Sequence, residues 1–330
     1  MLAIDFPEQK SKTIIETTMM IQVINRTLAV HPLSAIVVWY GESRIGKTTT
    51  AEYAVAKILE AYDENNPLAF RAKYLEVGQI PPWSGNEMKK GVKSLYFAAV
   101  RACLDEGVYQ TEPIEAVAAR IVHELKRRNI QLIFIDEAGG LSLDAIQGMV
   151  LVRDTALSMG WTLTLVFIGM DDLPMKMDKK KQIAGRVNEW CYFVEYDLDD
   201  TWKLLAKLHP HFGGLDRKNA AHVEQVQFLR ETYGGFPGQL IPFIRRMEYR
   251  LKEHRGAIDL RFLRVVHLLT ARDKQRAIEH SLATFKGMAP AKAQKVAAFR
   301  AGPDKRRSPN NGNDKTQKSN HKGSEKRKPR

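Results

Sequence analysis

Eight consecutive residues, Gly41, Glu42, Ser43, Arg44, Ile45, Gly46, Lys47 and Thr48, carry the pattern GxxxxGKT. Those residue types in that order suit the binding of a phosphate chain. Gly41 and Gly46 permit a turn tight enough to aim several backbone N–H groups at one anion, and a helix opening at the end of the loop adds the positive end of its dipole. Lys47 is placed to reach the β- and γ-phosphates, and the hydroxyl of Thr48 to hold Mg²⁺. The candidate nucleotide site is the run from Gly41 to Thr49. A second constellation follows 89 positions after Lys47, where the apolar run Leu132 to Ile135 ends in Asp136-Glu137. Asp136 is expected to hold the Mg²⁺ shell through water, and Glu137 to orient and deprotonate an attacking water.

Chemistry of this kind needs both constellations at the same end of a sheet, and the surrounding sequence supplies such a frame. Ala35 to Tyr40 (AIVVWY) reads as a buried strand ahead of the loop, and TTAEYAVAKILEAY as the helix behind it. Ala69 to Val77 reads as a second strand, LIFI as a third, Thr162 to Met170 as a fourth and CYFVEYDL, residues 191–198, as one more. SLYFAAVRACLDEG, EPIEAVAARIVHELKRRN and LSLDAIQGMVLVRDTALSMG read as helices between them. The alternation predicts an α/β fold, a doubly wound parallel sheet whose ligands bind beyond the carboxyl ends of the strands. Asp171 and Asp172 close the fourth strand and fall at that edge. Four segments are expected: a helical segment over 1–34, a nucleotide-binding domain over 35–197, a helical lid with C-terminal helices over 198–300, and a disordered basic tail over 301–330. In the first, Met19, Met20, Val23, Ile24 and Leu28 share one helical face, and His31-Pro32 ends the helix.

The 330 residues carry a formal charge of +13, of which +7 falls on the last 30. A polyanion is a plausible partner for such a chain. Lys89, Lys90 and Lys93 open a helix just after an irregular loop containing Pro81, Pro82, Trp83 and Gly85, where a phosphate backbone could lie. Cys103 and Cys191 stand alone, with no CxxC pair to suggest zinc or redox work. His209-Pro210-His211 would need two further ligands to hold a metal, and no GxSxG points to covalent catalysis. No basic-then-apolar leader pattern and no apolar run near the ~18 residues of a membrane span occur, so a cytoplasmic location is expected.

In order, GESRIGKTTTAEYAV, LIFIDEAGGLS, LVFIGMDDL, IAGRVNEW and GGFPGQLIPFI give residues 15–255 a resemblance to AAA+ ATPases. Within them the chain most resembles the transposition regulators of the TnsC, TniB and MuB type, as found in Tn7-like transposons. The resemblance implies an ATP- and Mg²⁺-dependent ATPase with a helical lid. It also implies that the protein assembles with itself, as a ring or filament, on double-stranded DNA. The expected partners are a transposase of the TnsA or TnsB type and a TniQ-like target selector, and the short chain is compatible with a CRISPR-associated element. By the same resemblance Arg186 is an arginine finger for the adjacent protomer, Asp171 a sensor after the fourth strand, and Gln239 the nearest candidate for the lid sensor. Lys89, Lys90 and Lys93 are the expected DNA-backbone contacts. A helicase loader or replication initiator of the same fold is the alternative. A P-loop kinase acting on a small molecule is a third, disfavoured because Glu137 has a clear use in activating water.

Overall fold

The computed structural model describes residues 14–66, 68–79, 86–100, 112–252 and 256–286. The expected basic tail over 301–330, Cys103 and the loop residues Pro81, Pro82, Trp83 and Gly85 lie outside them. By its contacts the chain divides into two units, Met1–Leu269 and Thr270–Arg330.

The first unit is built on five parallel strands: β1 (Ile36–Gly41), β2 (Arg71–Glu76), β3 (Ile130–Asp136), β4 (Thr164–Gly169) and β5 (Val187–Phe193). Their order is β2-β3-β4-β1-β5. The helices are α1 (Thr18–Val30), α2 (Lys47–Glu60), α3 (Glu87–Val100), α4 (Ile114–Arg127), α5 (Leu143–Ser158), and the short α6 (Leu173–Asp178) and α7 (Lys181–Ala184). Every residue of β4 is buried, as a central strand covered on both faces requires.

Alternation along β1 splits the core. Ile36 and Val38 point into a cluster with Ile121, Leu125, Met149 and Phe167, closed by α3, α4 and α5. Val37 and Trp39 point the other way, toward Val23 of α1 and Ala51 and Ala54 of α2. The helix after β1 therefore covers one face of the sheet and the helices around β3 cover the other. In sheets of this kind ligands bind at the carboxyl ends of the strands, where β1 leads into the P-loop and β3 ends in Asp136.

Edge strand β5 begins at Val187, four residues earlier than its apolar pattern suggests. Its polar start is satisfied by tertiary partners: Asn188 Oδ1 accepts from Ile36 N at 2.9 Å, and Glu189 pairs with Arg26 of α1.

The lid comprises α8 (Leu198–Leu208), α9 (Pro210–Gly213), α10 (Ala220–Tyr233), α11 (Pro237–Leu251) and the first part of α12 (Leu260–Lys286). Its own core gathers Trp202, Leu205, Phe212, Leu229, Phe243 and Leu263. Asp200 of α8, 2% exposed, ties the lid to α1 by accepting from Thr18 N at 2.7 Å and from Thr18 Oγ1 at 3.3 Å. His209 caps α9 by accepting from His211 N, and no group of metal-ligating side chains forms among the described residues. Among them, too, no helix is long and apolar enough to cross a membrane.

Candidate nucleotide site

The P-loop runs from the end of β1 into α2 and is pinned at its centre by Ile45, whose side chain is buried against the sheet. Gly46 caps α2 with φ +108°, a left-handed conformation that a side chain would strain. Arg44 also takes a left-handed φ, +65°. Lys47 is 8% exposed and donates from Nζ to the carbonyls of Gly41 at 2.7 Å and Glu42 at 2.6 Å. Burial pushes its ammonium below the ordinary lysine value, against the opposing charges of Asp171, Asp136 and Glu42.

Register brings the second constellation to the same edge. Asp136 closes β3, is 5% exposed and accepts three hydrogen bonds. Thr48 Oγ1 donates to its Oδ2 at 2.6 Å, Tyr74 OH donates to the same oxygen at 2.7 Å, and Glu137 N donates to Oδ1 at 2.8 Å. Glu137 is exposed and left-handed at φ +59°, so the strand ends abruptly and the carboxylate of Glu137 stands clear of the sheet. Non-glycine residues at positive φ are uncommon, and two of those described, Arg44 and Glu137, belong to this site. Asp171, exposed just beyond β4, is near enough for its charge to act on both Lys47 and Tyr192.

The lid meets the loop directly. Gly238 N, in the first turn of α11, donates to Arg44 O at 3.2 Å, and a Cβ on Gly238 would stand 2.1 Å from that of Arg44. Phe236 inserts beside Ile45 and Trp39. Gln239 follows immediately, exposed at the same helix start. Tyr196, between β5 and the lid, places its hydroxyl 3.0 Å from where a Cβ of Gly46 would be, and packs on Gly235. Burial raises the phenol of Tyr196 above its ordinary value, so it is a hydroxyl and not a phenolate.

The remaining expected site residues lie elsewhere. Arg186 precedes β5 at the far end of the sheet. Val187 pairs with Ile36 there, whereas Phe193 pairs with Gly41 at the P-loop. Those two levels are roughly 16 Å apart along the strand. Arg186 is half-exposed and donates to Asp154 of α5, which also takes Nη1 of Arg153 at 2.6 Å. Lys89 and Lys90 are half-buried on α3. Lys93 departs from expectation: at 4% exposure it turns inward beside Val92 and Leu95, so the three lysines do not make one exposed basic face.

The residues present fit a nucleotide with its metal. The loop offers a turn with no Cβ in the way at Gly46, a buried ammonium, and a hydroxyl–carboxylate pair, Thr48 and Asp136, of hard oxygen donors suited to Mg²⁺. No motif in the sequence marks Tyr74 or Tyr196 as part of this site. Only pairing between strands far apart in the chain brings Tyr74 to Asp136.

The first unit is thus an α/β fold, a doubly wound parallel sheet with a P-loop after its first strand, an acidic pair after its third and a C-terminal helical lid. No family model matches the sequence, and no curated protein matches it either. Among solved structures the chain is similar to the ORC2 protein of Aeropyrum pernix in its ADP form, with a TM-score of 0.51, 15% identity, and 74% of this chain and 66% of that one covered. It is also similar to the ORC1 protein of Aeropyrum pernix in complex with DNA, with a TM-score of 0.50, 16% identity and coverage of 88% and 74%. The chain thus spans about two thirds of the length of the first of these. Likeness at such identities is likeness of fold.

Proposed function

We propose that this protein is an ATP-hydrolysing assembly switch that binds double-stranded DNA and completes its active site only between two copies of itself. The observation that carries the reading is the placement of Arg186 at the end of the sheet opposite its own P-loop. An arginine side chain cannot bridge the roughly 16 Å between those levels, so its phosphate partner would belong to a neighbour. The Arg186–Asp154 pair is exposed, and such pairs are worth about 0–1 kcal/mol. Releasing Arg186 toward a triphosphate therefore costs little.

Within one copy, the P-loop backbone and Lys47 would hold the phosphate chain, and Thr48 with Asp136 would hold Mg²⁺. Mg²⁺, when bound, neutralises charge on the β- and γ-phosphate oxygens. Glu137, free of the sheet, would take a proton from the attacking water as that water bonds to the γ-phosphorus and the bond from that phosphorus to the β–γ bridging oxygen breaks, which releases ADP and inorganic phosphate. Asp171 accepts hydrogen bonds only, so it would order that water and not the phosphate itself. Gln239 can donate, and stands at the start of the lid helix that touches Arg44. Phosphate state would thereby reach the lid through the Arg44–Gly238 contact.

Lys89 and Lys90 remain candidates for the DNA backbone, together with the basic tail. A solved structure of the same fold, the ORC1 protein of Aeropyrum pernix, is in complex with DNA, which supports a DNA-bound role and the helicase-loader or initiator reading. The motif resemblance to transposition regulators supports the other reading, in which the assembly marks a target and recruits a TnsA- or TnsB-type transposase through a TniQ-like selector. Both share the switch.

Imaging the purified protein on linear duplex DNA with a slowly hydrolysed ATP analogue, and with ADP, tests that shared part. Rings or filaments are expected with the analogue alone, and their yield should fall steeply as salt rises, as for any phosphate-contact complex. Monomers under both nucleotides would remove the switch from consideration and advance the small-molecule kinase.

A further inference from the structure

Among the described residues, Tyr74 is the one side chain hydrogen-bonded to the Asp136 carboxylate that the nucleotide reading leaves without a task. It lies on β2, an edge strand, in register with Phe134 of β3, while Glu76 stands opposite Asp136. Residues 74 and 76 face the same side of β2, so the long phenol ring spans the two-residue step to Asp136, roughly 6.6 Å along the strand. A shorter side chain at this position would fall short. The hydroxyl reaches Oδ2 at 2.7 Å, the oxygen that also takes the Thr48 proton at 2.6 Å. Burial first, and then the bond to Asp136, push the phenol well above its ordinary value, with Glu76 and Glu52 adding to the effect. A carboxylate oxygen accepts, so the proton in this bond is that of the Tyr74 hydroxyl.

Resting on the ATPase reading above, we propose that Tyr74 is a positioning residue for Mg²⁺: it fixes the Asp136 carboxylate so that the Thr48 proton points to Oδ2 and a Thr48 lone pair points to the metal. With Glu137 N on Oδ1 and Tyr74 on Oδ2, the carboxylate is held at both oxygens. Thr48 then donates to an oxygen that is held in place, which would leave its own lone pairs for the metal. Hydrogen bonds behind a metal-binding group of this kind commonly change metal affinity by about 10- to 100-fold.

The test is the gain in nucleotide affinity that Mg²⁺ provides, measured on the full chain by titration with a fluorescent ATP analogue in Mg²⁺ and in EDTA. Mn²⁺ binding to the protein–ATP complex, followed by electron paramagnetic resonance, gives a second readout independent of turnover. Tyr74→Phe keeps the ring and removes only the hydroxyl. The variant is expected to lose about tenfold of the Mg²⁺ gain and to bind Mn²⁺ more weakly by a similar factor, with the affinity in EDTA and the Tm unchanged. A Mg²⁺ gain within about twofold of wild type would overturn the assignment, as would parallel losses in EDTA affinity and Tm, which mark a purely structural residue. Wild-type protein that gains nothing from Mg²⁺ overturns the underlying ATPase reading and this assignment with it.

Discussion

Lys47→Ala should weaken ATP binding on the order of 100-fold, about 2.8 kcal/mol at 1.4 kcal/mol per tenfold. The side chain is held 8% exposed by two carbonyls of its own loop, so its ammonium is already desolvated and oriented before any phosphate arrives. Burial lowers the lysine's affinity for its proton, and the charges of Asp171, Asp136 and Glu42 oppose that. A triphosphate would add a stronger anion to the same pocket and hold the proton in place. Removing the ammonium leaves phosphate charge facing Asp171, Asp136 and Glu42 without the lysine between them. Equilibrium titration with a fluorescent ATP analogue reads the effect directly. The Tm of the nucleotide-free variant, measured beside that of the parent, separates loss of phosphate binding from loss of fold. A Kd within about threefold of wild type would mean that the loop does not bind phosphate in the way described.

Glu137→Gln should act on the other half of the cycle. Its side chain is exposed and the strand ends beneath it in a left-handed turn, so the carboxylate is not part of the core. Glutamine keeps the shape and loses only the capacity to accept a proton. General-base contributions run to about 10²–10⁴-fold, and hydrolysis should fall within that range while ATP affinity stays unchanged. If the proposed switch is correct, the variant should stay assembled on DNA with ordinary ATP for longer than wild type does. Single-turnover phosphate release and nucleotide titration on the same preparation separate these effects. Equal losses in binding and turnover would place Glu137 in the nucleotide-binding surface instead.

How far the sequence discloses this site depends on whether its geometry is local. Gly41 to Thr48 form one turn between one strand and one helix, and the identities of eight neighbouring residues suffice to read it. Asp136-Glu137 is legible because an apolar run must be a buried strand, and its last residues must reach the strand's carboxyl end. Tyr74 was not legible. Nothing in RAKYLE distinguishes its tyrosine from an ordinary strand residue until the pairing of β2 with β3 sets Tyr74 beside Phe134, two residues short of Asp136.

The contact of Gly238 with Arg44 is hidden for the same reason, since it joins segments 194 positions apart through the docking of the lid. Apolar periodicity puts the start of β5 too late because it ignores Asn188 and Glu189, whose polar groups are satisfied by β1 and α1. Lys93 shows the limit of composition. It belongs to a basic cluster in the sequence, yet it follows Val92 on the helix side that α3 buries. Charge alone cannot tell a solvated face from an inward one.

Mixing two inactive variants tests most directly whether the site is shared between copies. Arg186→Ala keeps an intact P-loop but offers no arginine to its neighbour, whereas Lys47→Ala offers Arg186 but cannot hold the triphosphate. Each alone should hydrolyse ATP at a small fraction of the wild-type rate, since a trans arginine contributes about 10³–10⁵-fold in enzymes that use one. Mixed in equal amounts on duplex DNA, they form junctions in which one copy supplies the P-loop and the other the arginine. Recovery of hydrolysis toward a quarter of the wild-type rate, as random pairing gives, is the predicted result. An Arg186→Ala protein as active as wild type, or a mixture no more active than its parts, would contradict a site completed by a second copy.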